Sequence, residues 1–153
     1  MMNNPLIFTS MKKLFFAMLA LCVAAMSFTS CNNGLESTAD PTTQPIAGKT
    51  YREMAPGGDA YSQLTFHMNY KCTLVAKQVG KDPVSNSNFE WWMSPNDPDV
   101  VVRYARGAYD TETGESLSGK EFLSGRYDAT TKTLTLTGEF RGEKATYKMT
   151  EVQ

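Results

Sequence analysis

From Gly48 to the end of the chain, apolar residues recur at every second position in one short segment after another. Side chains on a β-strand point alternately to the two faces of a sheet, so this period of two predicts strands with one buried face. Outside the first thirty residues, no segment has the spacing of an amphipathic helix. The alternation predicts seven or eight strands, near 49–54, 61–68, 71–78, 88–93, 99–107, 121–127, 132–140 and 143–151.

The segments between these strands are short and rich in turn-forming residues. Residues 94–98 contain two prolines and an asparagine, and residues 111–114 end in glycine, a composition that favours tight reversals. Short connections join neighbouring antiparallel strands, so the expected fold class is all-β, an antiparallel up-and-down meander in a single domain. Closing the meander into a barrel removes the exposed sheet edges, and a barrel is therefore preferred over a two-sheet sandwich.

The first thirty residues have the proportions of an export signal. Lys12 and Lys13 precede fifteen mainly apolar residues, 14–28, fewer than the roughly 20 that a membrane-spanning helix needs. Met11 stands directly before this basic pair. Residues 1–30 are therefore predicted to be a signal peptide, with Met11 as its true start.

The apolar run ends in Phe28, Thr29, Ser30 and Cys31, a sequence that resembles the lipobox of bacterial lipoproteins. The resemblance implies that cleavage leaves Cys31 as a lipid-modified first residue carrying acyl chains such as palmitate. Several acyl chains hold a protein stably at a membrane. The expected location is the cell envelope, at the outer membrane, and the sequence leaves open which face of that membrane the domain occupies.

The residues after Cys31 are polar and include two prolines. Asn32–Ala47 is rich in Asn, Thr, Ser and Pro, which predicts a flexible spacer. Residues 31–47 are therefore interpreted as the lipidated cysteine and its tether, and residues 48–153 as the β-barrel domain.

Short motifs near both ends of the domain carry a further resemblance. Gly48–Tyr51 followed by Leu64–Phe66, and Gly125–Asp128 followed by Thr133–Gly138, resemble strands of small lipocalin-like, calycin-type barrel lipoproteins of Bacteroides-type bacteria. Tyr51 stands where true lipocalins have the tryptophan of their G-x-W signature. The resemblance implies a lipocalin-like barrel, and it implies no activity because the function of most family members is unknown.

Composition and residue counts argue against several functions. Without residues 1–30 the chain has 13 basic and 16 acidic residues, and its scattered basic residues offer no concentrated face for nucleic acid. His67 is the only histidine, which excludes multi-histidine metal sites, and its expected place is a strand surface. Cys72 is expected to be a small buried hydrophobe. The prediction is a protein that is not an enzyme, with no cofactor and no metal.

Aromatic residues are the best candidates for a binding function. Six of them fall on expected inward positions and could line a small apolar ligand: Phe66, Phe89, Trp91, Tyr104, Phe122 and Tyr147. The interior of an eight-stranded barrel is nearly filled by its own side chains or holds one small ligand, so plain core is the competing interpretation.

Trp92 supports the alternative of an envelope protein partner, or of an enzyme that this chain inhibits. The neighbours Trp91 and Trp92 must point to opposite faces of a strand, which places one of them outside unless the tether or a loop covers it. The predicted ligand- or partner-binding residues are Phe66, Trp91, Trp92, Arg103 and Tyr104.

Overall fold

The computed structural model describes residues 40–94, 96–140 and 142–153, and for Phe140 it describes the backbone alone. The predicted signal peptide, its start at Met11 and the lipidation site Cys31 lie outside these residues. The described chain begins with a short 3-10 helix, Pro41–Thr43, followed by eight strands. They are β1 (Thr50–Met54), β2 (Tyr61–Phe66), β3 (Lys71–Lys77), β4 (Val84–Met93), β5 (Asp99–Tyr104), β6 (Glu121–Asp128), β7 (Thr133–Phe140) and β8 (Glu143–Glu151).

Every strand pairs antiparallel with the next one in sequence, and β8 pairs with β1. The sheet is therefore a closed barrel with the strand order of an up-and-down meander. This confirms the all-β prediction and the choice of a barrel over a sandwich. β4 begins at Val84, four residues before the prediction, because the polar residues 85–88 hide the alternation.

The inward-facing residues form one continuous hydrophobic core. All six aromatic residues that were predicted to face inward belong to it, and Cys72 is fully buried, as predicted. Burial of one large apolar side chain contributes about 1.5–3 kcal/mol, so this core is the main stabilising element of the barrel. Its most deeply buried large side chains are Trp91, Tyr51, Phe66, Phe89, Ile46, Leu64, Leu74, Leu123, Leu134 and Leu136.

One end of the barrel is covered by the chain that leads into β1. Ile46 is fully buried, the N–H of Gly48 donates to the carbonyl of Phe66, and the N–H of Phe66 donates to the carbonyl of Lys49. We call this the closed end. Gln44 is also buried, so the folded part begins before Gly48. The sequence interpretation placed residues 40–47 in a flexible tether because their polar composition conceals this one apolar anchor.

The opposite end carries the connections from β1 to β2, β3 to β4, β5 to β6 and β7 to β8. We call it the rim end. The β5–β6 connection, residues 105–120, is the longest of the four. It packs Ala108 and Leu117 against the core and forms an isolated antiparallel bridge between Tyr109 and Ser116.

The ladder is irregular at two places. The register between β3 and β4 shifts between Cys72 and Leu74, and that between β5 and β6 shifts between Val102 and Arg103. A bulge reorients the side chains around it. The second shift allows the sequence neighbours Phe122 and Leu123 both to be buried, which regular alternation forbids.

Gly125 lies on β6 where β7 approaches closely, and a Cβ atom there would overlap the carbonyl oxygen of Thr135. We expect Gly125→Ala to lower the free energy of unfolding by about 3 kcal/mol, because side-chain rotation cannot relieve a clash with backbone. Gly114→Ala is the control, because Gly114 has a positive φ but a Cβ atom there would meet open space. It should lower the free energy of unfolding by about 1 kcal/mol, the cost of the backbone conformation alone. Chemical denaturation measures both, and equal losses would contradict this explanation.

Candidate functional site

Two of the predicted binding residues, Phe66 and Trp91, lie deep inside the closed end. Their rings meet edge to face with centroids 5.6 Å apart, and Phe66 meets Tyr51 in the same way at 5.9 Å. Trp91 Nε1 donates a hydrogen bond to the carbonyl of His67 at 2.9 Å. With both side chains almost fully buried and the indole N–H satisfied, these residues are part of the packed core.

Tyr104, the third predicted residue, lies on the inner face near the rim end. It packs against Phe89 and Phe122, with ring centroids 5.3 Å from each, and these two phenylalanines stack at 4.6 Å. We call these three residues the aromatic wall. They fill the β4–β6 side of the barrel interior at this level.

Trp92 and Arg103 lie on the outer surface, so the expectation that Trp91 and Trp92 point to opposite faces is confirmed. Trp92 is half-buried and pairs in register with Val101. Arg103 stands opposite Glu90, whose carboxylate pairs with Lys71 at 2.6 Å. The five predicted residues therefore occupy three places: the closed end, the aromatic wall and the outer face.

Exposed apolar side chains concentrate at the rim end. Among the described residues, six large apolar side chains are exposed, and four of them lie at this end. We call these four the apolar rim: Met54 (46% exposed), Val79 (66%), Val84 (41%) and Tyr109 (41%). They come from β1, the β3–β4 connection, the start of β4 and the β5–β6 connection.

Just inside the apolar rim, the inward positions become small or polar on four neighbouring strands. Glu53 on β1 stands opposite Ser62 on β2, and Ser62 stands opposite Ala76 on β3. Ala145 occupies the inner face of β8. This side of the barrel faces the aromatic wall across the interior, so the rim end combines apolar and polar groups.

Glu53 also extends the seam between β1 and β8. The two strands pair at Tyr51 with Glu151 and at Arg52 with Thr150. Beyond these pairs, Glu53 Oε1 accepts a hydrogen bond from the backbone N–H of Lys148 at 3.1 Å. The side chain of Glu53 thus accepts from an N–H of β8 where the backbone pairing between β1 and β8 has ended.

The Glu53 carboxyl loses its proton less readily than an exposed glutamate does. Burial raises the pKa of the Glu53 carboxyl, and the hydrogen bond from Lys148 offsets part of that rise. The pKa of Tyr147 is also raised, by burial first and then by the charge of Glu53. The rim end therefore holds a carboxyl group and a phenol that influence one another inside the barrel.

Asn86 is the site residue that sequence reasoning missed. It lies on β4 opposite Leu74, faces the interior and is only 7% exposed. Its Oδ1 accepts the backbone N–H of Asn88 at 2.9 Å, which leaves Nδ2 as a donor. No described group accepts from Nδ2. Sequence reasoning could have found Asn86 only by placing it at an inward position of a strand. It did not, because residues 85–88 are all polar and have the composition of a loop.

The hydroxyl of Tyr51 is the other buried polar atom without a hydrogen bond of standard geometry among the described residues, although it lies close to the Tyr127 phenol. Its ring meets that of Tyr127 edge to face at 6.0 Å, and burial, followed by the nearby Tyr127 phenol, raises the pKa of Tyr51. Tyr51 contacts the aromatic residues of the closed end, which Ile46 covers, whereas Asn86 lies on the inner face toward the rim end.

The remaining candidates have simple local roles. His67 is exposed just after β2, with Nε2 2.8 Å from the hydroxyl of Thr73. The Asp110 carboxylate accepts the N–H groups of Glu112 and Thr113 and so orders a turn. In the described ranges, three or more potential metal ligands nowhere come together, and no helix there is long and apolar enough to span a membrane.

No known protein family matches this sequence, and neither the curated proteins nor the solved structures contain a significant match.

Cys72 should be chemically inert in the folded barrel. Burial raises the pKa of its thiol, and the reactive thiolate forms only when the barrel opens. We expect iodoacetamide at pH 8 to modify Cys72 about a hundredfold more slowly in the folded than in the unfolded protein. Ser85→Cys, at an exposed position on the outer face of β4, is the reactive control, and mass spectrometry of labelled peptides measures both. If iodoacetamide modifies Cys72 in the folded protein as fast as the control cysteine, Cys72 is not protected by the barrel.

Glu53 should make stability depend on pH. Its pKa is higher in the folded than in the unfolded chain, so unfolding releases a proton and the wild type loses stability as pH rises through this interval. Glu53→Gln keeps an acceptor for Lys148 and removes the titration. Relative to this variant, we expect wild-type stability to fall from pH 4 upward in urea denaturation. Glu143→Gln, an exposed position on β8, should leave the dependence of stability on pH unchanged. If the stabilities of Glu53→Gln and of the wild type change with pH in parallel, Glu53 does not contribute to this dependence.

Proposed function

We propose that this protein is a lipid-anchored lipoprotein of the bacterial envelope that binds a small, largely apolar ligand at the rim end of its barrel and is not an enzyme. Its short motifs support a relationship to the lipocalin-like barrel lipoproteins. The single observation that carries the binding proposal is the difference between the two ends. The closed end is filled with aromatic side chains, whereas the rim end exposes apolar residues above polar and small ones.

Such a combination is typical of ligand sites. Small-molecule sites are mostly apolar and contain a few placed polar groups that orient the ligand. At the rim end, Val79, Val84 and Tyr109 supply the apolar part, and Asn86 supplies a buried polar atom. Met54 follows the inward-facing Glu53 on β1 and therefore points to the outer face. Because the other half of the interior is occupied by core, the ligand must be small, in agreement with the capacity of an eight-stranded barrel.

The position of the predicted anchor is compatible with ligand access. The described chain starts at Asp40, nine positions after Cys31, and enters the barrel at the closed end. A lipid on Cys31 would therefore attach the barrel to the membrane through its closed end. The apolar rim would then lie at the end opposite to the attachment, where a ligand can be exchanged.

A second candidate function is binding of a protein partner on the outer face. It rests on Trp92, which is half-buried beside Val101. Tryptophan is enriched among the residues that dominate interface energies. Arg103 on the next strand would contribute a charge at the edge of such a surface.

The anchor is tested by removing the predicted acceptor of the lipid. We expect the full chain, expressed in a bacterium that lipidates such proteins, to partition into the detergent phase of Triton X-114. In the same cells grown with labelled palmitate, the Cys31→Ala variant should carry no label, since it lacks the thiol that receives the acyl chains. Cys22→Ala is the matched control within the leader and should stay labelled. Palmitate labelling that survives Cys31→Ala would rule out this anchor.

The binding site is tested with an apolar fluorescent probe, 6-propyl-2-(dimethylamino)naphthalene, and residues 32–153. Val84→Glu should weaken binding about tenfold, because it removes apolar contact at the rim and adds a charge. Trp92→Glu makes a similar change on the outer face and should leave the probe's Kd unchanged. The reverse pattern would favour the outer face, and no binding by the wild type would argue against the ligand site.

A further inference from the structure

We propose that Asn86 is a ligand-binding residue whose Nδ2 donates a hydrogen bond to an uncharged oxygen acceptor of the ligand, such as a ketone, ester or amide carbonyl. This inference rests on the proposed function and specifies its chemistry. The ligand is then an amphipathic molecule with an apolar body and a neutral carbonyl-type head.

The first argument is the state of the Asn86 amide. Buried donors in folded proteins almost always have a partner, and one without a partner is destabilising. Asn86 is 7% exposed, and its Nδ2 has no acceptor among the described residues. The amide oxygen has a local role as the acceptor of the Asn88 N–H, but the donor half has none among the described residues, so we assign it to a group that arrives from outside.

The second argument is that the donor has a fixed direction. The N–H of Asn88 holds Asn86 Oδ1 at 2.9 Å, which determines which side of the amide carries the nitrogen. The register shift between β3 and β4 falls next to this point, between Cys72 and Leu74 on the facing strand. Bulges of this kind often reorient side chains at binding sites. The amide is thus oriented before any ligand binds.

The third argument is the relation of Asn86 to the apolar rim. Val84 lies two residues earlier on β4, opposite Ala76, just as Asn86 lies opposite Leu74. Residues two apart share a face of the strand, so exposed Val84 stands between Asn86 and solvent. A ligand whose apolar part contacts Val84 could therefore place a polar atom next to Asn86, two residues deeper along the same face of β4.

The charge of this end excludes an anionic head. Glu53 is an inward-facing carboxyl at the rim end. The other inward residues near it, Ser62, Ala76 and Ala145, are uncharged. Among the described inward residues here, no lysine or arginine is present to neutralise an anion. A carboxylate or phosphate would therefore lose its hydration without compensation. A neutral oxygen accepts from Asn86 without this cost.

The test compares two probes that differ only in a carbonyl group. Fluorescence titration of residues 32–153, which contain the complete barrel, uses 6-propionyl-2-(dimethylamino)naphthalene and its 6-propyl analogue. We expect the ketone to bind about tenfold more tightly, the value of one well-placed hydrogen bond. A third probe, 6-(dimethylamino)-2-naphthoate, should bind more weakly than the ketone because of its charge.

The variant Asn86→Leu should remove the preference for the ketone while changing the Kd of the propyl probe by less than about twofold. Asn96→Leu, the same change in the β4–β5 connection at the closed end, should retain the preference. Asn86→Leu should lower the unfolding temperature only slightly, because it removes the acceptor of the Asn88 N–H but no described partner of the amide donor. A marked loss of stability together with an unchanged ketone preference would assign Asn86 a structural role.

A measurement on the wild type alone keeps the proposal falsifiable if Asn86→Leu does not fold. In the NMR spectrum, the side-chain NH₂ signals of Asn86 should shift when the ketone is added and not when the propyl probe is added. Equal affinity for both probes, with no shift of the Asn86 signals, would overturn this inference and leave the proposed binding function standing. Absence of binding by every probe would overturn both.

Discussion

Closure of the sheet between β1 and β8 is the interaction on which the rest of this structure depends. The two strands meet at Tyr51 with Glu151 and at Arg52 with Thr150, and through these pairs a meander with two free edges becomes a barrel without any. Closure also fixes a single interior. Every inward side chain must then fit into that one space, so side-chain size decides which part of the barrel is solid and which part is available to a ligand.

The two ends of that interior divide stability and function between them. The closed end packs Phe66 against Trp91 and buries Ile46, with the indole N–H bonded to a backbone carbonyl. The rim end tolerates features that a core optimised for stability would avoid, namely an unsatisfied Asn86 amide and the partly buried Glu53 carboxyl. Local departures from packing rules are expected where a protein binds something. This division is the basis for the proposed ligand site.

The sequence predicted the fold, whereas the five residues predicted for binding lie at three separate places in the structure, and both outcomes have physical reasons. Alternation reports burial directly, so it identified the eight strands, the inward aromatic residues and the opposite faces of Trp91 and Trp92. It failed at the start of β4, where the polar residues 85–88 hide the alternation, and so it missed the extension of β4 to Val84 and with it Asn86. Sequence cannot distinguish the filled end of a barrel from the other end, so it did not reveal that Phe66 and Trp91 pack together at the closed end.

The central claim is that a ligand binds at the rim end, and hydrogen–deuterium exchange tests its location directly. Residues 32–153 would be compared with and without a saturating concentration of 6-propionyl-2-(dimethylamino)naphthalene. The proposal predicts slower exchange in peptides that contain Glu53 and Ser62 and in those that span residues 76–86, with no change around Val101 on the outer face. Protection confined to peptides that contain Trp92 and Val101, or no protection anywhere, would contradict it.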